Sequence, residues 1–190
     1  MKKKKLGFAM CGSFCTFSET TKMMKYLTEN NYEVYPIMSY NAYDMDTRFG
    51  KAKNFIQEIE TITEKQIINT IIGAEPIGPK DMFDILLVAP CTGNTLAKLA
   101  HSVTDTPVTM AVKSHLRGEK PVVVAVSTND ALSGSAKNIG MLLNYKNYYF
   151  VPMRQDNPTT KPSSMVAYFD RIPETLENAL VGKQTQPIIK

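Results

Sequence analysis

The chain has 190 residues, 43% hydrophobic and 21% charged, which suits one soluble globular domain able to bury a full core. The net charge of +4 leans on Lys2 to Lys5, and no basic patch interleaved with aromatics supports binding to DNA or RNA. No apolar run reaches the roughly 20 residues that span a bilayer and no signal-peptide pattern follows the lysines, so a cytoplasmic protein without a membrane partner is expected.

Leu6 to Met10 reads as a first strand, followed by a tight Cys11-Gly12-Ser13 turn. A helix over Thr16 to Glu29 carries Met23, Met24 and Leu27 on its apolar face. Glu33 to Met38 reads as a second strand that ends at Ser39-Tyr40-Asn41. Thr47 to Glu60 and Glu64 to Ile72 read as helices, the second striped by Ile67, Ile68, Ile71 and Ile72. Gly73 closes it, and Pro76, Gly78 and Pro79 form a rigid connector. Ile85 to Ala89 is a continuous apolar run, as in a parallel strand buried on both faces. Pro90 has no amide proton and is expected to end that strand.

Leu96, Leu99 and Ala100 then set a helical spacing, and Pro107 to Arg117 forms the next helix, ended by Gly118. Val122 to Val126 is another buried strand, running into Ser127-Thr128-Asn129, and Asp130 is placed to cap a helix through Leu143. Tyr148 to Val151 reads as the last strand and Val166 to Leu180 as a C-terminal helix. Pro152 to Ser164 is polar and aperiodic, either a solvent loop or a lid over a pocket. A single domain over 1–182 and a loose tail over 183–190 are expected. Strands alternating with helices define an α/β protein, with a doubly wound, mostly parallel, Rossmann- or flavodoxin-like sheet in three layers.

Four polar turns follow strands: Gly12-Ser13, Ser39-Tyr40-Asn41, Thr92-Gly93-Asn94-Thr95 and Ser127-Thr128-Asn129. Doubly wound folds bind ligands at the carboxyl ends of their strands, so these turns are the candidate site. Their hydroxyls and amides suit a polar organic ligand better than a metal, and no cluster of carboxylates and histidines suggests one. One glycine of a G-x-G-x-x-G fingerprint is present, so a dinucleotide is disfavoured and a mononucleotide phosphate stays open. Cys11, Cys15 and Cys91 are an odd set and do not form a disulfide scaffold; they are either structural thiols or neighbours of one pocket. His101 and His115 fall inside predicted helices and read as structural or surface groups. Arg48, Lys98, Arg154 and Lys161 are cationic candidates near the mouth, where guanidinium groups grip carboxylates.

The Pro90-Cys-Thr-Gly-Asn-Thr95 motif resembles that of the homo-oligomeric flavin-containing Cys decarboxylase family of flavoproteins. In that family Pro-x-x-x-Asn-Thr forms a strand-to-helix turn against FMN. The resemblance implies FMN as cofactor, with Gly12, Ser13 and Ser39 on its phosphate side. It places Pro90, Cys91, Thr92, Asn94 and Thr95 against the flavin or substrate, and Ser127 and Asn129 closing the pocket. Segments 46–50, 74–80, 89–100, 104–111 and 151–158 narrow the likeness to a branch that serves as one half of a two-component oxidoreductase. That branch implies a cytoplasmic role in the mother cell of a sporulating bacterium, a partner protein carrying NADP and a small dicarboxylate substrate met by Arg154 and Arg48. A homo-oligomer is also implied. The wider family's catalytic His precedes the Pro90 strand, but here residues 77–84 hold none, which disfavours decarboxylation and leaves the catalytic residues unassigned. A flavin-free accessory protein, a decarboxylase and a prenyl-transferring flavoprotein stay open as alternatives.

Overall fold

The computed structural model describes residues 3–190. In chain order it has β1 (Lys4–Met10), α1 (Phe17–Glu29), β2 (Tyr32–Met38), α2 (Tyr40–Asp44), α3 (Ala52–Thr63) and α4 (Ile71–Ala74). There follow β3 (Ile85–Cys91), α5 (Gly93–Ala100), α6 (Pro107–Leu116), β4 (Val122–Thr128), α7 (Ala136–Leu143) and β5 (Tyr148–Phe150). The chain closes with β6 (Met153–Asn157), β7 (Lys161–Ala167) and α8 (Ile172–Leu180). The strands form one seven-stranded sheet of order β2-β1-β3-β4-β7-β6, with β5 also paired to β4.

β1 to β5 pair in parallel, while β6 and β7 form an antiparallel hairpin. Alternation along the central strands divides the core. Leu6, Phe8, Ile85, Leu87 and Val123 face one layer with Phe17, Met24, Ile59 and Leu176 of α1, α3 and α8. Ala9, Leu86, Val88, Val122 and Val124 face the other with Leu96, Val112 and Leu142 of α5, α6 and α7. Both faces are covered, which is why these strands read as unbroken apolar runs. Helices on both faces of a mostly parallel sheet are the expected architecture.

Several elements depart from expectation. The strand at Ile85 does not end at Pro90 but runs to Cys91, with its register on β4 shifting between Val88 and Cys91. The shift puts the proline where no ladder amide is needed. The helix expected over Glu64 to Ile72 is absent. Glu64 turns left-handed at the end of α3, and Ile68 pairs with β2, its amide donating to Pro36 at 2.9 Å while its carbonyl accepts from Met38. An open sheet edge outcompeted the helical spacing, and Ile72 is left 85% exposed. The helix before it starts at Ala52 rather than Thr47.

Pro152 to Ser164 is neither filler nor a free loop but most of the β6–β7 hairpin. The helix expected from Val166 starts at Ile172, because Val166 pairs with Ser127 at the end of β4. Nor is 183–190 a loose tail. Gln184 bonds both the amide and the carbonyl of Phe150 at 2.7 Å, and the Met153 amide donates to Ile188 at 2.8 Å.

Candidate functional site

The parallel strands deliver their turns to one edge, and the order β2-β1-β3 places a topological switch point between β1 and β3. Beside it opens a cleft of about 660 Å³. Its floor is made by Gly12 and Ser13 after β1, Thr92 after β3, and Ser127, Thr128 and Asn129 at and after the end of β4. The β6–β7 hairpin supplies one wall with Arg154, Asp156, Lys161 and Ser164, and Tyr168 and Asp170 continue it. Cys15 and Glu19 complete the rim from the α1 side.

Gly12, Ser13, Thr92, Ser127, Asn129 and Arg154 are thus brought together as the sequence suggests. Ser13 and Ser127, far apart in sequence, hold their hydroxyls 2.8 Å from each other. The chain then enters a 3-10 turn at Phe14–Thr16 whose start has no side-chain cap. The first amides of such a turn have no acceptor within it, so they and the two hydroxyls form a donor-rich corner suited to an anion. The Asn129 carboxamide oxygen accepts from Ser164 at 3.3 Å, tying the floor to the hairpin. Arg154 lies with its guanidinium 4.9 Å from the centre of the Tyr168 ring, which holds its fork against the wall. Lys161 is paired with Asp156 at 2.7 Å.

The other six expected residues lie elsewhere. Ser39 caps α2, its hydroxyl accepting from the Ala42 amide at 3.3 Å. Pro90 and Cys91 belong to the buried strand β3. Thr95 is buried and donates to Cys11 Sγ at 3.2 Å, while its amide donates to the Thr92 hydroxyl that caps α5. Asn94 is exposed and faces a separate hollow with His101 and Asp130. Arg48 is exposed outside the cleft, its guanidinium 4.8 Å from the ring of Phe49. Short hydroxyl residues after a strand serve equally as helix caps and as ligand donors, and here capping claimed Ser39 and Thr92.

The cysteines divide in the same way. Burial pushes the Cys11 thiol up to about 11, against the lowering by the Thr95 and Thr92 hydrogen bonds. Burial raises Cys91 well above the ordinary thiol range, with Cys11 adding to it. Both are therefore protonated structural thiols, while Cys15 alone lines the cleft. Burial also lowers His115 to about 4, and its Nε2 lies 3.1 Å from the Pro121 carbonyl. The residues the sequence reading missed at the cleft include three acids, Glu19, Asp156 and Asp170. No spacing announces them, because they come from three separate segments: α1, the aperiodic hairpin and the turn before α8.

A strand-end cleft of this kind, on a doubly wound sheet with a C-terminal hairpin wall, defines a class. Residues 1–169 match the family model described as Flavoprotein, and the chain belongs to that family. The chain is 42% identical over 189 residues to the B subunit of dipicolinate synthase from Bacillus subtilis (strain 168), covering 100% of this chain and 94% of that protein. The crystal structure of the dipicolinate synthase B subunit from Bacillus halodurans C is 44% identical, with a TM-score of 0.91 over 100% of this chain and 97% of that one. The FMN-dependent cysteine decarboxylase SpaF shares the fold at 21% identity, with a TM-score of 0.70 over 93% of this chain and 97% of its own.

Proposed function

We propose that this chain is the flavin-binding B subunit of a dipicolinate synthase. In this reading it holds FMN in the cleft and acts with an A subunit that carries NADP. The pair oxidises a dihydro- or tetrahydrodipicolinate-type dicarboxylate to dipicolinic acid, in the mother cell of a sporulating bacterium. The observation that carries the reading is the donor-rich corner at Ser13 and Ser127, set in a cleft whose volume suits a cofactor.

FMN when bound supplies a hydride acceptor; the chain supplies position and charge. Ser13 and Ser127 would hold the phosphate through their hydroxyls, and the uncapped amides after Ser13 would add to them. Thr92 and Asn129, on the cleft floor, would contact the bound cofactor. Arg154, braced by Tyr168, meets a substrate carboxylate at the mouth. Asp156 holds Lys161 as its ion pair and so leaves Arg154 as the principal anion receptor of that wall. A homo-oligomer of this chain is part of the reading.

The relatives that decarboxylate cysteine favour a second activity, but the histidines argue against it. His115 is locked in the core and His101 lies in the hollow beyond α5, so neither lines the cleft.

The test is a visible spectrum after reconstitution with FMN and gel filtration, followed by mixing with the A subunit. Retained flavin bands and dipicolinate formation that needs both proteins are the expected results. No flavin retained at saturating FMN would overturn the cofactor assignment, and full activity of the A subunit alone would overturn the partnership.

A further inference from the structure

Away from the cleft, a pocket of about 320 Å³ lies between α5, α6 and the start of β5. Its apolar lining comes from Leu99, Val112, Leu116 and the ring of Tyr148, which sits 6.4 Å from that of Tyr145. Two exposed cations at the end of α6, Lys113 in its last turn and the capping residue Arg117, stand over it. They are one turn apart, and like charges at that spacing repel by a few tenths of a kcal/mol. Lys98, on the same rim, is already neutralised by both oxygens of Asp105 at 2.8 and 2.9 Å. Among the described residues, Lys113 and Arg117 have no such ion pair.

Cations at a helix C-terminus are often placed there by the helix dipole, which offers roughly half a negative charge. That accounts for one cation and not for two above an apolar hollow with an aromatic wall. Burial raises the Tyr148 phenol well above its ordinary range, so its ring is uncharged. A flat apolar floor beside two unneutralised cations is complementary to a planar ring with an anionic edge.

We propose that this pocket is a second small-molecule site, taking a planar aromatic carboxylate between Tyr148 and the Lys113–Arg117 pair. It is independent of the cofactor reading, since none of its residues lines the cleft. Isothermal titration of the flavin-free full chain with benzoate and with pyridine-2,6-dicarboxylate tests it. Binding at about 1 mM or tighter is expected. The surface double variant Lys113→Glu/Arg117→Glu should weaken it at least roughly tenfold with an unchanged circular dichroism spectrum, a loss of about 1.4 kcal/mol. Arg154→Ala, in the cleft, should leave intact the binding component that the double variant removes. Absence of heat at about 10 mM ligand, binding indifferent to the double variant, or binding abolished by Arg154→Ala would each overturn the proposal.

Discussion

The turns after β1 and β4 and the turn after β3 are built from the same materials and come to opposite ends. Ser13 and Ser127 face each other across the cleft floor, their hydroxyls bonded mutually and open to a ligand. At the β3 turn Thr92 caps α5, Thr95 bonds Thr92 and Cys11, and Gly93 is wedged beneath Asp130. Asp130 is itself engaged, accepting from Thr128 at 2.6 Å and Ser135 at 2.9 Å. One region presents its polar groups and the other consumes them. The lesson is that composition at a strand end identifies a polar turn, while the capping geometry decides whether anything is left for a ligand.

That contrast can be broken first at the glycines. A Cβ on Gly93 would lie 2.6 Å from both Asp130 Oδ1 and Ser135 Oγ, whereas one on Gly12 would meet Phe14 at 3.4 Å and Asn41 at 3.5 Å. Gly93→Ala should therefore cost roughly 3 kcal/mol in urea unfolding, and Gly12→Ala under about 0.5. Equal losses would erase the distinction between a closed and an open turn.

An effect of similar size separates core from cleft by pH. His115 is neutral in the fold, with its pKa lowered from 6.5 to about 4. The unfolded chain binds the proton first, so the full contribution is present above pH 6.5 and is lost as pH falls towards 4. That amounts to about 3 kcal/mol between those limits. Stability should follow this slope in unfolding at several pH values, and His115→Gln should flatten it. A slope unchanged in the variant would place the titration elsewhere.

Smaller effects refine the comparison. Ser127→Ala should weaken FMN binding roughly tenfold while costing less than about 1 kcal/mol in stability, since Ser13 can turn to solvent. Thr95→Val should do the reverse, costing about 1 kcal/mol and leaving flavin retention in gel filtration unaltered. If Thr95→Val released flavin and Ser127→Ala did not, the two turns would have been assigned the wrong way round.

Much of this was legible in the sequence. Ile85 to Ala89 and Val122 to Val126 announce buried parallel strands because both their faces are covered, and Pro107 marks the first turn of α6. The turns at Ser13 and Ser127 were legible as candidate donors. The hairpin was not, because Arg154 to Asn157 are four exposed residues in a row with no alternation to read. Its strands exist because β4 offers Ser127 and Thr128 as ladder partners, a tertiary fact. Nor could Ser39 be told from a ligand donor, since capping an adjacent helix requires the same side chain, while the Thr95 hydroxyl is spent inward on Cys11.

The clip at Gln184 has a consequence for colloidal behaviour. β5 pairs with β4 on one side, and the Gln184 carboxamide occupies the backbone groups of Phe150 as a neighbouring strand would. A single side chain thus acts as a stopper on an otherwise sticky border, denying it to strands of other molecules. Truncation after Lys183 would uncover that border and should promote edge-to-edge self-association on storage or during expression.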